Sequence, residues 1–188
     1  MKIGILALQG NYAQHKKVLD ELSVLSILVK YPSQLNGLSG LIIPGGESSV
    51  ISRHIEKNNF RGAIIDFSND KPIFGTCAGM ILLSSTKKTK YVKPLNLMDF
   101  SVSRNAWGRQ IDSFSTNIII DSSIDESFKG YFIRSPKVED KSSEINVLAS
   151  HKGEPVMLCD GNHLASSFHP EIGGNNKIHQ YFIDKING

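Results

Sequence analysis

Only two cysteines, Cys77 and Cys159, stand among 188 residues. Two thiols do not make a disulfide framework, so the expected setting is reducing and cytoplasmic. No apolar run reaches the roughly 20 residues that cross a bilayer, so no membrane span is expected. The N-terminal Met1-Lys2-Ile3-Gly4-Ile5-Leu6 lacks a signal-peptide cleavage site and reads instead as a first strand. Charge of one sign is also scarce. The formal balance is +3, too small and too dispersed to argue for nucleic acid. Lys87, Lys88 and Lys90 form the one tight basic cluster, best read as a solvated loop. The six histidines show no metal-ligand spacing with the cysteines, so neither a metal nor another cofactor is implied. Repeats, low-complexity tracts and linkers are missing too. A chain 40% apolar and 21% charged is ordinary for a globular protein, and its length suits one domain over residues 1–188.

What is present first is a run of strands separated by helices. Ile3 to Leu8 is a continuous apolar strand of the kind buried on both faces of a parallel sheet. Gln9-Gly10-Asn11 breaks it, and a helix follows with Tyr12, His15, Val18, Leu19 and Leu22 on one stripe. Val24 to Val29 is a second strand and Leu41 to Ile43 a third. The third runs into Pro44-Gly45-Gly46-Glu47-Ser48-Ser49, a glycine turn with helix-capping residues behind it. Helices are expected from Ser49 to Lys57 and from Arg61 to Phe67, then a strand at Pro72 to Phe74. This alternation predicts parallel βαβ units, an α/β fold with helices on both faces of a mostly parallel sheet. After about Thr86 the pattern changes. Leu97–Val102, Phe114–Ile120, Tyr131–Ile133, Ile145–Ala149, Pro155–Leu158 and His163–Phe168 read as strands, with turn signals at Lys152-Gly153 and Asp160-Gly161-Asn162. These are expected to add antiparallel or mixed strands to the sheet. A last helix, about Asn176 to Ile186, turns Ile178, Tyr181, Phe182 and Ile186 inward.

The chain is organised around Gly75-Thr76-Cys77-Ala78-Gly79. An apolar run ends in it and another, Met80 to Leu83, leaves it, which describes a strand, a sharp turn and a helix. This is a nucleophile-elbow pattern with cysteine in the serine position. Glycines on either side let the turn be tight and let another backbone come close. At a helix N-terminus the dipole favours the thiolate, the reactive form. A lone cysteine is more often a buried core residue; one flanked like this is better read as a nucleophile.

A cysteine nucleophile needs a base. His15, His54 and His179 fall in helix patterns, where a surface or packed histidine is the usual explanation, and His151 and His163 lie at turns. His169 differs by its company, Ser167-Phe168-His169-Pro170-Glu171. Pro170 pushes His169 into extended backbone. There, residues two apart point the same way, about 6.5 Å along the strand. Glu171 can then reach the far ring nitrogen, giving the logic of a nucleophile–base–acid triad in Cys77, His169 and Glu171. Acyl transfer also needs oxyanion donors. The N–H of Ala78 is one candidate, and the unobstructed Gly45-Gly46 turn is the other. Both loops would lie at the carboxyl ends of parallel strands, where sites on such sheets collect.

Three blocks in this order, Pro44-Gly45-Gly46-Glu47-Ser48, the elbow and Ser167-Phe168-His169-Pro170-Glu171, resemble the class I (triad) glutamine amidotransferases, a flavodoxin-like fold. More narrowly, the chain resembles the glutaminase subunits of pyridoxal 5′-phosphate synthase. The narrowing blocks are Leu8-Gln9-Gly10, Arg104-Asn105, Gly108 to Phe114, and Phe132-Ile133-Arg134-Ser135-Pro136, and the match covers nearly the whole chain. The resemblance implies that Cys77 attacks the side-chain amide of L-glutamine, that a glutamyl thioester forms, and that ammonia passes to a synthase partner in a hetero-oligomeric complex. It implies that Gly46, Glu47, Ser48, Arg104, Ile133 and Arg134 hold the glutamine. It also implies weak activity until the synthase docks, with Gln9-Gly10 placed where that contact would complete the oxyanion site. The chain departs from the family at Asn11, where a small apolar residue is usual, at Ala106-Trp107, at Ser135 and in the Gly173-Gly174-Asn175 loop. Cys159, on an apolar strand, reads as core.

Three other readings compete. A glutaminase of another pathway, such as the imidazole glycerol phosphate synthase partner, would share the triad, but no block favours it. A non-catalytic regulatory member of the fold is disfavoured by an intact Cys77, His169 and Glu171. A cysteine peptidase or redox chaperone of similar architecture is disfavoured by Gly45-Gly46-Glu47-Ser48 and Arg134, which suit an amino-acid ligand.

Overall fold

The computed structural model describes residues 1–86, 90–104, 113–125 and 127–188. Its first half alternates as the apolar runs predict: β1 (Ile3–Leu6), α1 (Tyr12–Glu21), β2 (Ser26–Val29), a 3₁₀ turn (Pro32–Leu35), β3 (Gly40–Ile43), α2 (Ser48–Lys57), α3 (Phe60–Ser68), β4 (Ile73–Thr76) and α4 (Ala78–Leu83). The second half is β5 (Phe100–Ser103), β6 (Ser113–Ile120), β7 (Phe128–Ile133), β8 (Lys137–Lys141), β9 (Asn146–His151), β10 (Glu154–Cys159), β11 (Leu164–Ser166) and α5 (Lys177–Asn187).

Nine strands form one sheet in the order β2-β1-β3-β4-β11-β10-β9-β6-β7. The first five are parallel, and from β10 outward every pairing is antiparallel. The order 2-1-3-4-5 of the parallel part is that of flavodoxin-like doubly wound sheets. Strand β11 comes from the end of the chain yet seats itself directly beside β4, with Leu164 opposite Phe74 and Ser166 opposite Thr76. That pairing brings the elbow and the His169 segment to one edge of the site.

Alternation along each strand divides the core into two layers. Leu41, Ile43 and Ile73 face the layer holding Ile51 and Ile55 of α2 and Phe60 and Ile64 of α3. Ile42, Phe74 and Leu164 face the opposite layer, with Leu19 of α1 and Ile178, Phe182 and Ile183 of α5. Helices therefore cover both faces, as expected. Each fully buried aliphatic or aromatic side chain contributes about 1.5–3 kcal/mol by leaving water.

Two differences from the sequence reading have clear causes. Strand β8 was not foreseen, because Lys137-Val138-Glu139-Asp140-Lys141 offers one buried apolar residue, Val138. Its pairing with β5 in a separate two-stranded sheet holds it instead. The strand expected to begin at Leu97 begins at Phe100. The residues before it turn inward to satisfy the end of α4: Leu95 N–H donates to Leu82 O (2.7 Å), and Leu97 and Met98 N–H donate to Leu83 O (2.9 and 3.0 Å). Those carbonyls have no partner within the helix. Among the described residues, no helix is long and apolar enough to cross a membrane. Asn105, Ala106, Trp107 and Gly108 to Asp112 lie outside the described residues.

Candidate active site

Cys77 follows β4 and caps α4 with φ 49° and ψ −101°. That is left-handed backbone, costly for a residue with a Cβ. The elbow's glycines do not carry this strain themselves, since neither Gly75 nor Gly79 has a positive φ. They permit close approach instead. A Cβ on Gly79 would overlap the Ile43 carbonyl oxygen, and one on Gly75 would meet the Gly79 backbone at 2.6 Å. The turn is held at its start by Cys77 N–H donating to Ser166 O at 2.7 Å. Elbow and β11 are thereby fastened to each other.

His169 and Glu171 sit just past β11, both buried (3% and 7% exposed). His169 N–H donates to Tyr131 O at 2.8 Å, and His169 Nδ1 lies 2.7 Å from Glu171 Oε1. The expected contact forms, but not along an extended strand. A turn closed by Ile172 N–H on His169 O (3.3 Å) brings the carboxylate round to the ring. With Nδ1 given to Glu171, Nε2 is left for the thiol. Burial works against charge on His169, yet hydrogen bonding and charge from Cys77 and Glu171 outweigh it and raise the ring's pKa to about 10. Burial would likewise raise the Glu171 pKa, but His15 facing its outer oxygen, and the hydrogen bond and charge of His169, hold it down at about 2. A protonated imidazole beside a cysteine favours thiolate.

The cleft in front of Cys77 has a volume of about 560 Å³, within the range of small-molecule sites. Gly46, Glu47, Ser48, Arg104, Ile133 and Arg134 all line it, with Ala78 and His169. Glu47 does three things there. Its carboxylate caps α2 through Ser49 N–H (3.4 Å), it pairs with Arg104 Nη2 (3.2 Å), and its own N–H donates to Gln9 Oε1 (2.8 Å). Ile133 O lies 3.7 Å from Cys77 Sγ. Arg134 has φ 47°. The turn that carries it is closed by Ile133 N–H donating to the hydroxyl of buried Ser135 (3.1 Å). The family departure at Ser135 thus supplies an acceptor to that turn.

One expected donor is committed elsewhere. Gly45 N–H donates to Thr76 Oγ1 at 3.0 Å and so does not face an oxyanion. The correction leaves Gly46 and Ala78 as the candidates. Gly45 is still required for its smallness, because a Cβ there would overlap the His169 ring. Gly10 is constrained more tightly, with φ 103° and a would-be Cβ inside the Gly45 carbonyl oxygen.

Sequence reasoning missed what His15, His179, Thr76 and Asn11 touch. His15 and His179 are packed rather than surface histidines, fully buried, with His15 Nδ1 and His179 Nε2 at 2.9 Å. His15 Nε2 is 3.2 Å from Thr76 Oγ1 and 3.5 Å from Glu171 Oε2. Asn11 donates its side-chain amide to Glu171 Oε1 at 3.3 Å. The only signal for the histidines was their i, i+3 and i, i+4 spacing to core residues such as Val18 and Ile183. The Gly173-Gly174-Asn175 loop is anchored by Asn175 Nδ2 donating to Asp125 Oδ2 at 2.7 Å. Gly173 (φ 94°) packs on the Tyr131 ring, leaving no room for a Cβ.

These buried histidines set an acid limit on stability. Burial, reinforced by the neighbouring His15, lowers the His179 pKa to about 3 against the opposing pull of Glu171. Burial also lowers that of His15. The unfolded chain takes up these protons near 6.5, whereas the folded protein refuses them. The stabilisation is complete above 6.5 and is lost as pH falls toward 3. Glu171 adds to the loss only below about 4.5. The raised pKa of His169 works at the other end: its stabilisation is present below 6.5 and lost as pH rises through about 10. Unfolding free energies from urea denaturation should fall by on the order of a few kcal/mol between pH 7 and pH 4, and more steeply than in His179→Gln.

Comparison with known proteins gives this geometry its relatives. The SNO glutamine amidotransferase family model matches residues 5–188. The chain is 38% identical over 187 residues to a Thermotoga neapolitana protein described as pyridoxal 5′-phosphate synthase subunit PdxT, covering 99% of this chain and 100% of that one. It is 42% identical over 186 residues to the subunit of the same description from Pelotomaculum thermopropionicum, covering 98% and 95%. A crystal structure described as a glutamine amidotransferase superposes with a TM-score of 0.93 at 34% identity, over 99% of both chains. A chain from the PurLQS structure of Thermotoga maritima shares the fold alone, with a TM-score of 0.67 at 18% identity over 97% of both. Matched from β1 to its last residue, with an elbow cysteine facing a buried histidine–carboxylate pair, this chain belongs to the SNO glutamine amidotransferase family.

Proposed function

We propose that the chain hydrolyses L-glutamine to L-glutamate and ammonia, and delivers the ammonia to a pyridoxal 5′-phosphate synthase subunit. One observation carries the chemistry: a strained elbow cysteine facing a histidine that a buried carboxylate keeps basic. On this reading the Cys77 thiolate attacks the side-chain amide carbon of glutamine. The oxyanion that forms is met by backbone N–H groups of Ala78 and Gly46. His169 gives its proton to the departing nitrogen, ammonia leaves, and a γ-glutamyl thioester remains. Water then attacks the thioester carbon while His169 takes up its proton, and glutamate is released with the thiolate restored. Glu171 holds the ring in the tautomer that both steps need.

The cleft suits an amino acid. Arg104 and Arg134 offer guanidinium groups to its α-carboxylate, while Glu47 and the Ile133 carbonyl offer oxygens to its ammonium. Gly46 and Ser48 complete the wall. The similarity to PdxT subunits over nearly the whole of both chains supports a synthase partner, in a heteromeric complex. The same reading takes residues 1–188 as one glutaminase domain, supported by a single sheet that joins both halves of the chain. Two free cysteines support a cytoplasmic setting.

Ammonia release from glutamine, assayed with and without a pyridoxal 5′-phosphate synthase subunit, tests the proposal. Turnover should rise clearly when the synthase is added. Identical turnover with and without the synthase would sink the ammonia-transfer reading.

A further inference from the structure

We propose that His15, itself held by His179, is a positioning residue that locks Glu171 and the Pro44–Gly46 loop into one unit. The inference rests on the glutaminase reading for its kinetic consequence alone. Glu171 uses one oxygen on His169, and its other oxygen, Oε2, is buried without a hydrogen-bond partner among the described residues. His15 Nε2 approaches that oxygen to 3.5 Å and Thr76 Oγ1 to 3.2 Å. Thr76 Oγ1 in turn accepts Gly45 N–H. One ring therefore touches both the group behind His169 and the group that fixes the loop.

The proton positions follow from these contacts. A bare nitrogen lone pair facing a carboxylate oxygen would repel it, so Nε2 of His15 carries the hydrogen. Its Nδ1 is then an acceptor, and His179 Nε2–H donates to it across 2.9 Å. That assignment leaves His179 Nδ1 as the bare nitrogen, and Nδ1 is the atom without a partner among the described residues. The opposite assignment would strand a buried N–H there and aim a lone pair at Glu171, a worse result on both counts. Among the described residues, the titratable groups facing His15 are Glu171, His169 and His179. The edge of the Phe74 ring closes the far side of His179, with centroids 5.9 Å apart. Both rings are thus neutral donors in a fully buried site, and a fixed N–H there orients a carboxylate without adding a competing charge.

The alternative is two core histidines that merely satisfy each other, and the experiment separates the two. Alkylation of Cys77 by iodoacetamide is followed against pH in the full-length wild type, His15→Leu and His15→Gln, alongside glutamine turnover with the synthase subunit. Leucine fills space without a donor, whereas glutamine restores one. In His15→Leu the alkylation midpoint should move up by about one pH unit, or about tenfold less thiolate below it. The kcat should fall about 10- to 100-fold, the usual scale for groups that orient a catalytic side chain, with KM little changed. His15→Gln should recover most of both. An unmoved midpoint in folded His15→Leu overturns the proposal, and so does an equal shift in the leucine and glutamine variants. Should His15→Leu fail to fold, ¹⁵N-histidine spectra of the wild type decide. His15 protonated on Nε2 alone at pH 7 is the expected result; an Nδ1–H tautomer or an imidazolium overturns it. Alkylation and spectra need no glutamine, so a wild type that fails to hydrolyse it would sink the glutaminase reading while these two still judge His15.

Discussion

Cys77→Ala should retain the fold and lose glutamine hydrolysis by at least about 10⁴-fold, measured as ammonia or glutamate released with the synthase subunit present. Removing a covalent nucleophile has effects of this size, because the remaining donors cannot replace the bond it forms. Stability gives a second, less obvious expectation. Cys77 holds φ 49° and ψ −101°, and alanine suffers the same backbone strain. Glycine does not. Cys77→Gly should be as inactive as Cys77→Ala but more stable by about 1–3 kcal/mol, the usual cost of a residue held in such a conformation. Chemical denaturation of the two variants measures the difference. Equal midpoints would mean that the elbow stores no strain, and that the thiol is presented by packing alone.

His169→Ala should lower kcat about 10²- to 10⁴-fold, the range for a general acid–base group. Glu171→Gln is the more telling replacement, since it keeps the shape and removes the charge. His169 is basic because the hydrogen bonds and charges of Cys77 and Glu171 overcome its burial. Without the carboxylate, the ring's pKa must fall and the thiolate lose its partner. The rate of Cys77 alkylation near neutral pH should then drop, and kcat with it. The change also acts on Asn11, whose amide donates to Glu171 Oε1. A glutamine can turn its own NH₂ toward either neighbour, so the pair can also misorient. Wild-type alkylation rates in Glu171→Gln would show that the carboxylate does not govern the thiol.

Much of the sheet could be read from the residues, because short apolar runs that end in glycine or proline turns leave little choice. The runs at Ile3–Leu8, Leu41–Ile43 and Pro72–Phe74 became the strands Ile3–Leu6, Gly40–Ile43 and Ile73–Thr76, all fully buried. The elbow was legible for the same reason, as was the meeting of His169 with Glu171, since two residues apart is within reach in several backbone conformations. Its route was not: a turn achieves what extended chain was expected to do. Lys137–Lys141 escaped notice because its strand is made by a partner and not by its own pattern. Glycines at 75 and 79 were read as allowing both tightness and the approach of another backbone, and the approach is what the packing uses.

Local pattern therefore determined most of the helices and strands, the elbow around Cys77 and the histidine–carboxylate pair, because each depends on residues within a few positions of one another. Tertiary structure alone decided that β11 would lie against β4, which sets His169 before Cys77. It also decided that α1 and α5 would share one face, so that His15 meets His179 behind Glu171, and that Gly45 N–H would be spent on Thr76. These contacts join segments distant in the chain. Nothing in the spacing of a helix tells which buried group its inward histidine will face; only the packing of the two layers against the sheet does.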